Sequence, residues 1–319
     1  MRHVFGPVPS RRLGRSLGVD LVPFKTCTYD CIYCQLGRTT HKTIERKERV
    51  PLEHVLCEVK AGLVSRPDYI TLSGSGEPTL HSRIGEVIDR IKLMTDIKVA
   101  VLTNGSLLWQ EELRRELLNA DLVIPSLDAG DESMFRAVNR PHDDISFDRL
   151  LSGLAAFRDQ FHGAYWLEVL LLDGHTAIEN ELEKLARHVD RLQPDRVQLN
   201  TVSRPPAESF ASGVPPERME KLAAKFSPPA EVIASHHVRG AGSLHAAAED
   251  AIIEMLRRRP CTLEDIADGL GLHRNEVIKH IQKLTSQRVL TQSRLGHEVY
   301  YDVTENTRKK ASDGALRRR

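Results

Sequence analysis

Residues 27–34 read CTYDCIYC and place three cysteines, Cys27, Cys31 and Cys34, at the spacing C-x3-C-x2-C. An ordinary four-iron, four-sulfur cluster is held by four thiolates, so three would leave one iron with an open position. An intracellular zinc site is the alternative, and it would need a fourth ligand such as a nearby histidine or Cys57. Structural zinc motifs usually come as paired knuckles, and the sequence has no second knuckle. The spacing therefore favours an iron–sulfur cluster over zinc or plain structural thiols.

Outward from this loop, the chain alternates between strand-like and helix-like segments. Six short apolar runs suit strands buried on both faces: residues 17–22, 69–72, 99–103, 122–127, 166–172 and 197–201. Six amphipathic segments with helical spacing accompany them: residues 52–63, 84–94, 111–118, 147–157, 182–192 and 216–226. This alternation predicts an α/β fold with a parallel sheet, and six units suit a partial, TIM-like (βα)6 barrel. The cysteine loop follows the first strand, at the carboxyl edge where such folds build their sites.

The composition limits the class of protein. A chain of 319 residues with 40% hydrophobic residues suggests about two domains with sizeable cores. The formal net charge of +1 does not by itself indicate a nucleic-acid partner. No apolar run approaches the ~20 residues of a membrane span, and the first residues do not resemble a signal peptide. Five cysteines, three of them in one loop, do not form a disulfide framework, so we expect a cytoplasmic protein without a membrane partner.

The pattern changes after residue 233. Residues 234–245 are rich in Gly, Ser and His and predict a linker. Residues 246–304 contain three helical segments and then a hairpin that turns near Gly296, an order that resembles a winged helix-turn-helix domain. Residues 305–319 form a basic tail. We therefore predict a barrel over residues 1–233 and a small winged-helix domain after the linker.

Polar residues follow four of the predicted strands. They are Gly74, Ser75, Gly76 and Glu77 after the second strand, Thr103 and Asn104 after the third, Ser126 and Asp128 after the fourth, and Gln198 and Asn200 on the sixth. Each group alone is compatible with a turn, a helix cap or a tethered loop. The carboxyl ends of parallel strands share one edge, so their joint placement favours a ligand site.

The cysteine spacing, with Tyr33 before the third cysteine, and the ordered strand ends resemble the radical S-adenosylmethionine (radical SAM) superfamily over roughly residues 15–230. The resemblance implies that the three cysteines ligate a [4Fe-4S] cluster whose open iron is chelated by S-adenosylmethionine. It further implies that the methionine end of S-adenosylmethionine binds to Gly74, Ser75, Gly76 and Glu77, and that Thr103 and Asn104 form a polar turn at the site. Ser126 and Asp128 would contact the ribose and the carboxylate of the cofactor. Its adenine would lie beside Gln198 and Asn200, and Tyr33 would pack near the cluster and the adenine.

The same resemblance implies a reaction. A reduced cluster, supplied by a donor such as flavodoxin or ferredoxin, cleaves the cofactor to a 5′-deoxyadenosyl radical that abstracts hydrogen from a substrate. The segments GPVPSRRLGRSLGVD, NRPH and RPP resemble relatives of the tRNA wyosine synthase, which suggests RNA, tRNA first. Unlike the wyosine enzymes, this chain has no cysteine before Cys27. Arg140 and Arg204, each before a proline at the barrel mouth, are our substrate-binding residues, with structural ion pairs as the alternative.

The winged-helix prediction leaves three roles open. The domain could bind nucleic acid, with its third helix carrying basic and polar residues toward a groove: Arg274, Asn275, Lys279, His280 and Lys283. A winged helix is equally suited to a peptide or protein substrate, or to packing. A non-enzymatic alternative is a regulator that senses redox state with its cluster and binds DNA. Since the domain follows a linker, we expect it to select the partner and to be dispensable for the radical step.

Overall fold

The computed structural model describes residues 3–10, 12–233 and 248–308. The predicted linker and residues 309–319 of the predicted basic tail lie outside them. The strands are β1 (Val4–Ser10), β2 (Gly14–Val19), β3 (Thr26–Cys27), β4 (His41–Lys42), β5 (Tyr69–Leu72), β6 (Lys98–Thr103), β7 (Leu122–Pro125), β8 (Ala164–Leu171), β9 (Arg196–Thr201), β10 (Glu231–Val232), β11 (Leu290–Leu295) and β12 (Glu298–Val303). The helices are α1 (Leu52–Gly62), α2 (Ile84–Met94), α3 (Glu111–Leu117), α4 (Glu132–Val138), α5 (Phe147–Gln160), α6 (Glu179–Leu192), α7 (Pro216–Ala223), α8 (Ala248–Arg258), α9 (Leu263–Leu270) and α10 (Arg274–Ser286).

One eight-stranded sheet organises the first 233 residues. Its order is β1-β2-β5-β6-β7-β8-β9-β10, and every pair is parallel except β1 with β2. This confirms the predicted parallel α/β sheet and all six predicted strands and helices, with ends shifted by a few residues. The prediction missed the strands β1, β3, β4 and β10 and the helix α4. Since β1 and β10 form opposite edges, the sheet is open between them.

The two faces of the sheet carry different side chains. Along β8, every second residue, beginning with Tyr165 and ending with Leu171, is buried in the large core beneath the helices. The alternate residues face the other way, as the pleat of a strand requires. There Ala100, Leu122 and Ile124 form a small separate apolar cluster that Leu13 completes. Polar side chains of β8 and β9 also lie on this second face, which extends toward the predicted site.

Residues 248–308, here called the C-terminal unit, build a core of their own from α8, α9, α10, β11 and β12. Thr262 and Asp265 form a capping box at the start of α9, and Gly271 ends that helix at a φ of 63°. The unit contacts the sheet-bearing part of the chain at two places: α9 packs against the edge strand β1, and the Tyr300 hydroxyl donates at 2.6 Å to the carbonyl of Ser203, which lies just after β9. The C-terminal unit therefore lies across the opening between β1 and the β9 side.

Within the described residues, every helix is too short or too polar to cross a membrane.

Candidate active site

The three cysteines stand on a loop that is fastened at both sides. Cys27 ends β3, and consecutive turns follow, in which the Cys34 amide donates to the Cys31 carbonyl at 3.1 Å. The Ile32 amide donates to the Val138 carbonyl at 3.0 Å, so the end of α4 holds the loop in place. The loop that carries the sulfurs is thus positioned by a helix that the sequence pattern did not reveal.

Each of the three sulfurs receives an N–H contact from a different part of the chain. Asn104 Nδ2 lies 3.7 Å from Cys27 Sγ, Asn139 Nδ2 lies 3.6 Å from Cys31 Sγ, and Lys25 Nζ lies 3.8 Å from Cys34 Sγ. Such donors stabilise negative charge on sulfur, which a thiolate ligand carries. The donors come from the loop after β6, the end of α4 and the turn before β3. The three cysteines therefore lie in surroundings built for thiolates.

Without a metal, the Cys27 and Cys31 thiols would stay protonated. Burial, reinforced by the nearby Glu77 charge, raises the pKa of Cys27 to about 12. Burial also raises the pKa of Cys31, and the neighbouring Cys27 and Cys34 add to that rise. Ionising the thiols together therefore requires a compensating positive charge, which cluster iron would supply.

The described residues do not converge on a single-metal site: no three His, Cys, Asp or Glu side chains among them form a group that could hold one ion. Cys57, one candidate for the fourth ligand of the zinc alternative, is exposed on α1. A four-iron cluster spreads its cysteine ligands over separate iron atoms, so they need not meet at one point. The three cysteines and their donors fit that larger group.

The predicted loop after β5 runs directly beside the cysteine segment. The Lys25 amide donates to the Ser75 carbonyl at 2.7 Å, and the Glu77 amide donates to the Thr26 carbonyl at 3.1 Å. Gly76 is required here, because a Cβ at this position would overlap the Thr26 carbonyl oxygen. Replacing Gly76 with a larger residue would therefore disturb the cysteine segment as well as the loop.

Glu77 joins two of the predicted strand ends. It is 2% exposed, and its carboxylate accepts from the Thr103 hydroxyl at 2.6 Å and from the Asn104 amide at 2.8 Å. It also accepts from the amide and hydroxyl of Thr79. The structure thus brings Glu77, Thr103 and Asn104 together, and Asn104 then reaches Cys27. The hydrogen bonds of the Glu77 carboxylate are therefore made to groups of the protein itself, and they hold the loops after β5 and β6 together.

Asp128 forms a second buried centre on the opposite side of the cysteine loop. It accepts from the Leu170 amide at 2.9 Å and from Asn139 Nδ2 at 3.0 Å, and the Tyr33 hydroxyl donates to it. Burial raises the pKa of Asp128 to about 6, and the Tyr33 hydrogen bond opposes that rise. Asn139 thereby links Asp128 and Tyr33 to Cys31. Ser126, also predicted here, bridges to Glu168 of the neighbouring strand through its backbone.

The two predicted residues of β9 have other partners. Gln198 is 1% exposed, and its Oε1 accepts from Arg12 Nη1 at 3.4 Å. Arg12 also forms an ion pair with Glu168 of β8. Asn200 accepts from the Thr201 amide at 3.0 Å. These contacts place an Arg–Glu–Gln group on the sheet face opposite the helices, and Arg12 belongs to this face.

The two predicted substrate arginines are engaged in ion pairs inside the protein. Arg140 Nη1 lies 2.6 Å from Glu208 Oε1, and its backbone adopts a left-handed φ of 46°. Arg204 lies 3.6 Å from Asp265 of α9 and 3.5 Å from the Gln35 side chain. The structure therefore shows ion pairs at both positions, which is the structural alternative to substrate binding.

Sequence reasoning missed Lys25, Asn139 and Asp20. Lys25 lies two residues before Cys27, but nothing in its spacing indicates that it turns back to Cys34. Asn139 is over a hundred residues away and immediately follows the short helix α4. Asp20, directly after β2, holds the Ser75 amide at 2.5 Å. A charged residue at the end of a buried strand was the available signal for Asp20.

The chain is similar in sequence to proteins of a known superfamily. Residues 21–189 match the Radical SAM superfamily. The chain is 37% identical to UPF0026 protein MJ1312 of Methanocaldococcus jannaschii, over 88% of this chain and 86% of that protein. It is 32% identical to a UPF0026 protein of Helicobacter pylori, over 93% and 96% respectively. The chain belongs to the radical SAM superfamily and shares the UPF0026 family with these relatives, so it is an enzyme of the radical SAM class.

Another relative is longer. The chain is 40% identical to a Brachyspira hyodysenteriae protein named GTPase Obg, over 89% of this chain but only 42% of that protein. Among solved structures, a radical SAM methyltransferase from Sphaerobacter thermophilus aligns with a TM-score of 0.55 and 20% identity, over 68% of this chain and 65% of that one. The FeFe-hydrogenase maturase HydG from Carboxydothermus hydrogenoformans aligns with a TM-score of 0.50 and 19% identity, over 68% and 53%. At these identities, the two structures show a shared fold. The superfamily uses S-adenosylmethionine and a [4Fe-4S] cluster.

Proposed function

We propose that Cys27, Cys31 and Cys34 hold the [4Fe-4S] cluster and that residues 73–78 bind S-adenosylmethionine beside it, in an enzyme that modifies RNA. The observation that carries the cluster assignment is the set of three separate N–H donors, one on each sulfur. When bound, cluster and cofactor supply a 5′-deoxyadenosyl radical that abstracts hydrogen from the substrate. A reductant is required, and a flavodoxin or ferredoxin is the donor that we propose.

The protein's own residues orient these groups. The Gly74–Ser75–Gly76 backbone lies against the cysteine segment, so a ligand on that loop would lie beside the cluster that the cysteines would hold. Glu77 fixes the loop to Asn104, and Asn139 fixes Tyr33 and Asp128 to the cysteine loop. We assign the adenosine end to Tyr33, Ser126, Asp128, Gln198 and Asn200. These residues lie at or near the carboxyl edge of β7 to β9, where parallel folds place ligands.

The finer architecture belongs to the same proposal. The open eight-stranded sheet is a partial (βα)6 barrel extended by an antiparallel strand at one edge. The three helices and hairpin of the C-terminal unit form a winged helix-turn-helix. We propose that this unit presents α10 and the hairpin to the macromolecular substrate. The sequence resemblance to relatives of the tRNA wyosine synthase makes tRNA the first substrate to test.

Charge on the outer surface of the C-terminal unit supports RNA. Lys279 and Lys283 on α10 and Arg294 on the hairpin are exposed. Part of the positive charge is balanced internally, since Lys283 lies 2.9 Å from Glu249 and Arg274 lies 3.1 Å from Glu264. That balance favours a weakly charged peptide as the second substrate class. A binding measurement at varied salt separates the two, because phosphate contacts release counterions.

The test is tRNA binding by the anaerobically reconstituted enzyme, titrated between low and moderate salt. We expect affinity to fall steeply as salt rises. Reversing charge in a K279E/R294E variant should reduce the salt slope by about one unit for each lost phosphate contact. The control is K221E, which changes an exposed lysine of α7 on the barrel. Binding that is insensitive to salt and equal in all three proteins would contradict an RNA-binding C-terminal unit, and selective peptide binding would favour the second class.

A further inference from the structure

One ion pair joins the C-terminal unit to Asp20, the residue that holds the loop that we assign to S-adenosylmethionine. Asp20, directly after β2, is 4% exposed. Its carboxylate accepts from the Ser75 amide at 2.5 Å and from the Ser75 hydroxyl at 3.2 Å. Gly74 packs so closely against it that a Cβ there would overlap Asp20 Oδ1. Asp20 is thus the support on which the Gly74–Ser75 backbone rests.

The charge that balances Asp20 comes from outside the barrel. Arg258, the last residue of α8, forms an ion pair with Asp20 Oδ2 and is 7% exposed. Its guanidinium lies 3.8 Å above the ring centroid of Phe5 on β1. Phe5 in turn covers Gly18 of β2, where any Cβ would overlap the ring. Arg258 is therefore held between an aromatic face and a carboxylate, in a geometry that a guanidinium fills well.

The ion pair is buried, which makes its two partners depend on each other. Removing one partner of a buried pair leaves an uncompensated charge, which costs far more than losing an exposed pair. An unpaired Asp20 would either take up a proton or turn toward water. Either change alters its hydrogen bonds with Ser75, and the loop would move with them.

We propose that Arg258 is a positioning residue for the cofactor site: through Asp20 and Ser75, it sets the loop after β5 in its ligand-binding conformation. The C-terminal unit is then a structural part of the cofactor site. The sequence led us to expect a unit that is dispensable for the radical step, and the Arg258 contact leads us to propose the opposite. The inference rests on the proposed assignment of residues 73–78 to S-adenosylmethionine.

The second set of contacts shows how a substrate on the C-terminal unit would influence this loop. Asp265 of α9 pairs with Arg204, which follows β9, and α9 packs against β1, whose Phe5 lies under Arg258. The unit is therefore attached at the edge strand β1 and at the segment that follows β9. If substrate binding shifted α8 and α9, Arg258 would move with α8, and its ion pair with Asp20 would change directly.

The experiment uses full-length protein carrying its cluster and compares wild type with R258M, R257M, D20N and D20N/R258M. R257M is the matched control, since Arg257 is the preceding residue of α8, is partly buried and pairs with Glu254 of the same helix. Iron content and thermal unfolding establish cluster and fold. S-adenosylmethionine affinity is measured by anaerobic equilibrium dialysis, and reductive cleavage is measured against cofactor concentration.

R258M should keep its iron but bind the cofactor about tenfold more weakly or worse, because it leaves a buried carboxylate unpaired. Its apparent KM for the cofactor should rise while the rate at saturation stays close to wild type. D20N/R258M should recover much of the affinity, since the carboxamide oxygen that replaces the Asp20 carboxylate still accepts from the Ser75 amide and no charge is left unpaired. R257M should match wild type.

A folded R258M with wild-type affinity would overturn the proposal, as would a double variant that is no better than R258M. If R258M does not fold, R258Q replaces it, because glutamine keeps a donor for Asp20 without the charge. We expect R258Q to show the same loss of affinity for S-adenosylmethionine, and unchanged affinity would overturn the proposal. Wild-type protein that carries its cluster and does not bind the cofactor would instead contradict the proposed function itself.

Discussion

At the scale of single residues, the cysteine loop is defined by its donors as much as by its sulfurs. Lys25 is nearly buried and adopts a left-handed φ of 62°, a backbone conformation that non-glycine residues rarely hold unless the surroundings impose it. This conformation accompanies contacts of its ammonium group with both Cys34 Sγ and the Gly37 carbonyl. Hydrogen bonds to ligand sulfur and the charge around a cluster are the protein's means of setting its reduction potential.

Replacing Lys25 with methionine should lower the reduction potential of the cluster. The reduced cluster carries more negative charge than the oxidised one, so losing a cationic donor destabilises the reduced form more. For a one-electron couple, a differential of about 1.4 kcal/mol corresponds to about 59 mV, so we expect a shift of tens of millivolts. Redox titration followed by electron paramagnetic resonance measures it.

The matched control for K25M is K42M. Lys42 is an exposed lysine of β4, and its ammonium donates to the Arg140 and Pro141 carbonyls rather than to sulfur. Equal shifts in the two variants would mean that only the overall charge matters. A shift in K25M alone would assign the effect to the contact with Cys34.

At the scale of elements, the segment after the cofactor loop is tied down by a neutral histidine. His81, fully buried, contacts the Val50 carbonyl through Nε2 at 2.9 Å and accepts from the Arg83 amide through Nδ1 at 3.2 Å. Only a neutral ring donates at one nitrogen and accepts at the other. Burial lowers the pKa of His81, partly opposed by the Val50 carbonyl and by Glu48, while Arg83 and Arg46 lower it further.

This histidine should make the barrel lose stability in mild acid. The unfolded chain takes up a proton near pH 6.5, whereas the folded chain resists it, so stability falls as pH drops below about 6.5 toward the lowered pKa. An H81Q variant can still donate and accept but does not titrate. When the pH is lowered from 7.5 to 5.5, the thermal unfolding midpoint of the cluster-free wild type should therefore fall further than that of H81Q. Parallel losses in both proteins would show that other groups carry the pH dependence.

The elements also show what could be predicted from the sequence and why. The six strands and six helices could be predicted because each segment is long enough to show a regular pattern of apolar residues. Once the strands were located, the polar residues at their ends could be identified. Helix α4, of seven residues, was not predicted, yet it ends next to Asn139, the donor to Cys31. Strand β10, with two residues, was too short to detect. The cysteines and Glu77 were therefore predictable, whereas Asn139 and Lys25 needed the folded chain.

At the scale of the whole molecule, the C-terminal unit was predicted as a separate body after a linker. The unit has a core of its own, but its buried contact with Asp20 had no sequence signal. Arg258 stands in a run of three arginines that reads as an ordinary solvated helix end. Long-range pairs of this kind join residues over two hundred positions apart, and no local pattern specifies such pairs. The molecule is consequently more integrated than its sequence suggests.

The central claim, that three cysteines hold one four-iron cluster that acts on S-adenosylmethionine, is tested most directly by one measurement. Anaerobically reconstituted protein is assayed for iron, for sulfide and for methionine and 5′-deoxyadenosine formed after reduction. We expect about four irons per chain and both products, with iron and products lost on replacing Cys27, Cys31 or Cys34 by alanine and retained in C57A. Stoichiometric zinc without iron, or cleavage that survives loss of these cysteines, would contradict the account.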